Sequence, residues 1–260
     1  MNMSFFTAAV GAQQQQNRMN VQANNISNVN TYGFKAKKAS FQQLMYSNVQ
    51  GINEEIPRGV GTQMVKTTTD FGCGPFMNTG RHLDFAINGD GFFALYDPIS
   101  GEISYTRDGS FAVVEFLVPA PVEEEDEEEA AVAEDGEENT EPEYISEWRL
   151  TDGDGRCVLD SRGNFIRVTD EYADMDIGVF DYTIYDGMQH IEGGRFLPVD
   201  KNGNLYWGTG IVKRFFLENS NVDLGLEMTK VIESQRAYSY ALKMVQTSDE
   251  IETTINGLRG

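Results

Sequence analysis

Hydrophobic and polar positions follow a helical period at the two ends of the chain and a strand-like pattern between them. Near the N-terminus, apolar or small residues recur three and four positions apart, which is typical of a helix with a heptad seam. Gly33 followed by Phe34 is the usual pairing of glycine and hydrophobic residue just past a helix end. We therefore predict an N-terminal helix within residues 1–33. The seam positions are Phe5, Ala9, Ala12, Gln16, Met19, Ala23, Ile26 and Asn30.

The C-terminal segment, residues 218–260, carries two neighbouring apolar stripes. A surface helix that covers one domain needs a single stripe, so two stripes predict contacts with more than one neighbour. Ser220 with Asp223 three residues later predicts a capping box at the start of this helix. The first stripe is Leu224, Met228, Val231, Gln235, Tyr238, Leu242 and Val245, and the second is Ala237, Ala241, Met244, Ser248, Ile251, Ile255 and Leu258.

Short apolar and aromatic runs separated by Asp-Gly and Asn-Gly turns fill the middle of the chain. They predict a central, mainly antiparallel β domain over residues 76–217, after an extended linker at 34–75. The fold class is thus α+β, with the long terminal helices packing as a coiled-coil-like pair. Four segments are predicted as hairpin turns, namely Ile87–Phe92, Arg107–Phe111, Ser161–Phe165 and Asp200–Leu205.

The charge is concentrated in one place. The net charge is −21, but residues 1–66 hold six basic and two acidic side chains, whereas residues 119–143 hold thirteen Asp or Glu and no Lys, Arg or aromatic residue. We expect this stretch to be a disordered acidic loop inserted in the β domain. A calcium- or partner-binding role for it stays open. The overall charge argues against binding nucleic acid or an anionic membrane surface.

Candidate catalytic and metal-binding groups are few. His82 and His190 stand in no nucleophile signature, and the sequence has no nucleophile elbow or phosphate loop. Asp152–Gly155 begins like a calcium loop, but the later ligand positions do not follow. A turn is the better interpretation. We predict no catalytic residue, no metal site and no cofactor, and pairing of Cys73 with Cys157 is left open.

Several motifs in the same order carry a resemblance to a known family. Ala23–Lys35 reads Ala-Asn-Asn-Ile-Ser-Asn-Val-Asn-Thr-Tyr-Gly-Phe-Lys and resembles the N-terminal signature of bacterial flagellar rod and hook proteins. Ser220–Asp223 and Gln235–Tyr238 resemble the C-terminal helix of that family. Thr79–Phe93 and Tyr105–Phe111 match its β-domain pattern. The resemblance covers nearly the whole chain. It is nearest to the distal rod members, with a proximal rod or hook-type subunit as the alternative.

This resemblance implies a structural axial subunit of the flagellar basal body and not an enzyme. Its partners would be copies of itself, other rod and hook axial proteins, and the type III export apparatus, with no nucleic acid and no membrane insertion. It would polymerise through its terminal helices into the tube that connects motor to hook, outside the cytoplasmic membrane. A secreted β-rich binding or adhesion module, or an enzyme using β-domain carboxylates, remains a rival.

The residues expected to form the assembly interface lie on both helices and in the signature. We expect the signature asparagines, Asn24, Asn25, Asn28 and Asn30, to bond the backbone and neighbouring helices, although simple helix termination explains the last two equally well. The full predicted set is Phe5, Ala9, Ala12, Met19, Ala23, Asn24, Asn25, Ile26, Asn28, Gly33, Phe34, Leu224, Met228, Val231, Gln235, Tyr238, Ala241, Leu242, Val245, Ile251, Ile255 and Leu258.

Overall fold

A computed structural model describes residues 3–44, 47–50, 55–58, 61–119, 144–168 and 175–258. Helix α1 (Met3–Ser27) and helix α2 (Leu224–Gly257) flank a set of antiparallel strands, which confirms the predicted α+β class. None of the helices in these ranges is long and apolar enough to cross a membrane. All of the predicted acidic insert except Pro119 lies outside the described residues.

Within the described ranges, seventeen short strands lie between the two helices. They are β1 (Lys37–Gln43), β2 (Ser47–Gln50), β3 (Glu55–Arg58), β4 (Thr62–Thr69), β5 (Phe76–Asn78), β6 (Phe85–Asn88), β7 (Phe92–Tyr96), β8 (Ile103–Thr106), β9 (Ala112–Pro119), β10 (Tyr144–Thr151), β11 (Cys157–Val158), β12 (Val179–Tyr182), β13 (Gln189–Ile191), β14 (Arg195–Leu197), β15 (Leu205–Trp207), β16 (Ile211–Arg214) and β17 (Phe216–Glu218).

The main sheet contains nine of these strands, in the order β13-β14-β8-β7-β11-β10-β9, with β12 joining β15 to β7. The pairs β6–β16 and β5–β17 lie beside it, and β1 pairs with β4 next to α1. Two aromatic-rich clusters form the core, because alternate side chains of β7 point to opposite faces of the sheet. One contains Phe85, Ile87, Phe93, Leu95 and Phe111, and the other contains Phe92, Tyr105, Phe180 and Phe196.

Three of the four predicted hairpins are wrong. The strands on either side of Ile87–Phe92 do not pair with each other, since β6 pairs with β16 and β7 with β8. The strands on either side of Arg107–Phe111 do not pair with each other either. At Asp200–Leu205, a 3₁₀ turn links two strands that have different partners. Only Ser161–Phe165 lies in a closed turn, bracketed by the antiparallel bridge between Leu159 and Phe165. Asp-Gly and Asn-Gly reverse the chain locally without choosing the strand that receives it.

The first helix ends earlier than predicted, at Ser27. Gly33 does adopt a left-handed conformation, with φ of 65°, but its N–H donates to the Glu218 carbonyl at 2.8 Å and not to the last turn of α1. A Cβ at this position would come within 2.4 Å of the Asp108 backbone nitrogen. Gly33 is therefore needed for close packing against the β domain, and its role as a helix-ending residue was wrongly predicted.

The second helix begins later than predicted, at Leu224. Its N-cap is Asp223, whose carboxylate accepts from the Leu226 N–H at 3.1 Å, so the predicted capping box from Ser220 is wrong. Cys73 and Cys157 are both free, the first exposed and the second buried. Asp152–Gly155 is a turn whose two carboxylates both approach Arg156.

Candidate assembly interface

The two terminal helices lie antiparallel, and polar side chains are hydrogen-bonded between them. The Ser4 and Ser248 hydroxyls are 3.2 Å apart at one end of the pair, and Ser234 donates to Gln22 Oε1 at 3.2 Å further along. Ser234 is fully buried. The contact between the helices thus includes a buried hydrogen bond, and smaller apolar side chains of α2 are half-buried beside it.

The less exposed side of α2 follows a regular spacing. Its members recur four and three positions apart, which is the spacing of a heptad seam. This side shares Val231, Tyr238 and Val245 with the first predicted stripe but has Glu227, Ser234 and Ala241 where that stripe has Met228, Gln235 and Leu242. Its members are Glu227, Val231, Ser234, Tyr238, Ala241, Val245 and Ser248.

Large apolar side chains remain exposed around the pair. Leu258 is 82% exposed, and Met228, Ile251 and Ile255 are about half exposed. Four predicted interface residues are buried within the chain, namely Ala12, Asn25, Gly33 and Phe34. Eight are half-buried, namely Ala9, Met19, Ile26, Asn28, Val231, Tyr238, Ala241 and Val245. Ten are exposed, namely Phe5, Ala23, Asn24, Leu224, Met228, Gln235, Leu242, Ile251, Ile255 and Leu258.

Asn25 holds the end of α1 against the first strand. Its amide accepts from the Lys37 N–H at 2.9 Å and donates to the Lys37 carbonyl at 2.8 Å, so it pairs with Lys37 as a strand neighbour would. The same Nδ2 lies 3.4 Å from Glu227 of α2. This buried asparagine therefore joins α1, β1 and α2 within the chain.

The other signature asparagines behave differently. Asn28 donates to the Asn24 carbonyl at 2.8 Å and accepts from the Thr31 hydroxyl at 3.3 Å, so it terminates α1. The side chains of Asn24 and Asn30 are exposed. Within the described residues, Asn25 alone of the four bonds both the backbone and the neighbouring helix.

A buried cluster of charges lies where both helices meet the β domain. Lys35 Nζ is 2.5 Å from Glu218 Oε1, and Arg107 Nη1 is 3.4 Å from Glu218 Oε2. All three side chains are at most 3% exposed. Gly72 accepts a further bond from Lys35, and Gly74 donates one to Glu218. Burial lowers the pKa of Lys35, and the Glu218 carboxylate opposes that shift.

Sequence reasoning missed this cluster. Lys35 was noticed only as the last residue of the signature, and Arg107 and Glu218 were not singled out at all. A buried charge needs a partner, but the sequence does not say which of many carboxylates supplies it. Asn221 was also missed, although it accepts from the Ala36 N–H and donates to the Asp70 carbonyl.

The C-terminal end of α2 extends beyond its contacts with α1. We call Asp249–Leu258 the α2 overhang. All ten of its residues are exposed, and it lies past the Ser4–Ser248 contact. At 1.5 Å per residue it is about 15 Å long. It combines the carboxylates of Asp249, Glu250 and Glu252 with the apolar Ile251, Ile255 and Leu258.

Three family models match separate parts of the chain. Residues 6–35 match "Flagella basal body rod protein", which covers most of α1 and the signature. Residues 86–116 match "Flagellar hook protein FlgE/F/G D1 domain" within the β domain. Residues 214–258 match "Flagellar basal body rod FlgEFG protein C-terminal", which includes all of α2.

Relatives match over almost the full length. The flagellar basal-body rod protein FlgG of Bacillus subtilis is 29% identical, covering 96% of this chain and 97% of that protein. The FlgG protein of Borreliella burgdorferi is 28% identical, covering 100% of this chain and 99% of that protein. The flagellar hook protein FlgE of Salmonella typhimurium is 38% identical, but over only 44% of this chain and 26% of the hook protein.

Proposed function

Because this chain belongs to the bacterial flagellar rod and hook family and is most like its distal rod proteins, we propose that it is a structural subunit of the flagellar basal-body rod. It acts by assembling with copies of itself and with other axial proteins of the flagellum, and it is not an enzyme. It works in the basal body.

The observation that carries this proposal is the position of the apolar side chains on the terminal helices. Most of the large ones on α2 are exposed, and the hydrogen bonds between the helices use Ser234, Ser248 and Gln22. Exposed large apolar side chains that lie next to one another on a protein surface mark an interaction site. The stripes run along the terminal helices, and contacts between different surfaces of successive copies build an open helical assembly when they do not close a ring.

The predicted interface residues that are exposed supply the contacts between subunits. Leu224, Met228, Leu242, Ile251 and Ile255 are in this group, and each loses apolar surface to water when a neighbour packs on it. The buried Asn25, Gly33 and Phe34 act within the subunit instead. They fix the orientation of the helices relative to the β domain. Residues 1–33 and 218–260 form the core of the tube, and residues 76–217 form the outer domain.

The two helices pair as a coiled coil whose seam is weak in the free subunit. The heptad-spaced side of α2 supports this pairing, and its serines explain the weakness. A chain with loosely held ends suits passage through the type III export apparatus in an unfolded state. In a monodisperse monomer, amide exchange in α1 and α2 should be much faster than in β7. Protected helices would contradict a seam of this kind.

The acidic segment belongs on the outside of the tube. Thirteen carboxylates within residues 119–143 cannot share a packed core, because buried unpaired charge is strongly unfavourable. A chain lacking residues 120–142 should still form complete rods in electron micrographs of basal bodies. Loss of the rod in that variant would assign the segment a role in assembly.

The test of the proposed function is a clean deletion in the source bacterium, with rescue by the intact gene and by two variants. Deletion should abolish swimming and leave basal bodies that stop before the hook. Leu242→Asp should fail to rescue, because it places a charge in the apolar stripe. Ser239→Asp adds the same charge at an exposed polar site of α2 and should rescue. Normal swimming after deletion would overturn the proposal.

A hook-type subunit is the second candidate, favoured by the stretch of 38% identity to a hook protein. The same micrographs separate the two possibilities. A missing hook on a complete rod would identify a hook subunit, whereas a structure that ends within the rod identifies a rod subunit.

A further inference from the structure

A cleft rich in positive charge lies at the opposite end of the helix pair from the α2 overhang. Arg18 of α1, Lys37 and Lys38 of β1, and Lys230 of α2 line it, together with one carboxylate, Glu227. We call this the basic cleft. It stands out in a chain with a net charge of −21.

Two of its four cations lack a counter-charge. Lys38 pairs with Asp70 at 2.6 Å, and Lys230 pairs with Glu227 at 2.6 Å. Arg18 and Lys37 have no acidic partner among the described residues. Lys37 is partly buried, and this burial lowers its pKa. A carboxylate brought into the cleft would compensate that loss of hydration.

The cleft is also held in shape. Asn25 fixes both backbone polar groups of Lys37, and its Nδ2 lies close to Glu227, which in turn pairs with Lys230. The buried asparagine of the signature therefore sets the positions of two of the cations. A preorganised arrangement loses less entropy when a ligand binds.

The α2 overhang has the complementary composition. Its three carboxylates are exposed, and no Lys or Arg lies between Asp249 and Leu258. Overhang and cleft lie near opposite ends of α2, which keeps them apart within one subunit. A contact between them must join two copies. The two surfaces differ, so the contact passes from one copy to the next and builds an open helical assembly when its rotation does not close a ring.

We propose that the α2 overhang of one subunit docks in the basic cleft of the next, with its carboxylates facing Arg18 and Lys37 and its apolar residues packing on the exposed stripes. This inference rests on the proposed function and specifies one contact within it. Lys230 and the overhang are 19 to 28 residues apart along α2. Subunits in this contact are therefore offset by about 30–40 Å along the helix axis.

The test is a charge swap in the full chain, scored by complete rods per cell. Asp249→Lys with Glu250→Lys reverses the overhang, and Arg18→Glu with Lys37→Glu reverses the cleft. Each pair of changes should lower the number of complete rods about three- to ten-fold, since attraction becomes repulsion. All four changes together should restore it to within about two-fold of the unmodified chain.

Controls make the result specific. Glu233→Lys and Lys243→Glu reverse exposed charges elsewhere on α2 and should leave rod numbers unchanged. In a Cys73→Ser background, cysteines placed at Glu250 and Lys38 should form disulfide-linked dimers in assembled rods. Thermal unfolding of each variant checks that its β domain is intact.

The outcomes separate this inference from the proposed function. Normal rod numbers in both charge-reversed chains, or failure of the four changes to restore them with no cross-linked dimer, overturn the docking contact. If Leu242→Asp still abolishes the rod in that case, the proposed function stands.

Discussion

The β domain and the terminal helix pair bury opposite kinds of side chain. In the β domain, Phe93 and Leu95 are fully buried in an apolar cluster. Between the helices, the fully buried residue of α2 is Ser234, and Leu242 on the same helix is exposed. The β domain therefore has a closed apolar core within one chain, although some apolar side chains at its surface, such as Leu117, Trp207 and Ile211, are exposed. Under the proposed function, the exposed apolar side chains of the helix pair are covered by neighbouring subunits.

Removing one large apolar side chain from each region tests this difference in burial. Phe93→Ala should lower the free energy of unfolding of the β domain by about 3–5 kcal/mol, because it leaves a cavity in a closed core. Leu242→Ala should lower it by about 1 kcal/mol or less in the monomer, because the leucine is 39% exposed and its removal leaves no closed cavity. Denaturant unfolding of both variants measures the difference, and equal losses would contradict the contrast.

The junction between the two regions should be nearly as sensitive. Glu218→Gln leaves Lys35 and Arg107 buried without a counter-charge, which should cost about 3–5 kcal/mol of unfolding free energy. Adding Lys35→Met removes one of the two unpaired buried charges and should recover part of the lost unfolding free energy. Guanidinium titration of the single and double variants tests this, and a double variant less stable than Glu218→Gln would contradict it.

A smaller effect is expected within the signature. Asn25→Ala removes both bonds to the Lys37 backbone and should cost about 1–3 kcal/mol. Asn24→Ala alters an exposed side chain and should be close to neutral for monomer stability. Urea unfolding compares the two. Motility of strains carrying them tests the wider hypothesis, which fails if swimming is undiminished with Asn25→Ala.

The smallest effect concerns alkaline pH and the β domain alone. Burial raises the pKa of Tyr105 above its ordinary value of 10.0, so the folded state keeps a proton that the unfolded state loses. The stability that depends on this proton is complete below pH 10 and is lost as pH rises above it. Tyr105→Phe should reduce the loss between pH 9 and 11. Thermal unfolding across that range, with an unchanged slope, would count against this assignment.

The sequence predicted well what depends on local pattern. The two terminal helices and the α+β class both follow from spacing along the chain. The hairpins at Ile87–Phe92 and Arg107–Phe111 were wrong because a turn signal does not specify a strand's partner. The Lys35, Arg107 and Glu218 cluster could not be predicted because its members are far apart in sequence and meet only through the completed fold.

The distance along the chain between Lys35 and Glu218 also sets an order of events. These residues are 183 positions apart, and Ser4 and Ser248 are 244 apart. A chain that emerges N-terminus first exposes Lys35 and Arg107 long before their carboxylate arrives. Contacts of such long range form late, because the intervening loop must be closed first. The charge cluster that joins the helix pair to the β domain therefore forms only when the chain is almost complete. A subunit that ends prematurely lacks this junction, which orients its helices.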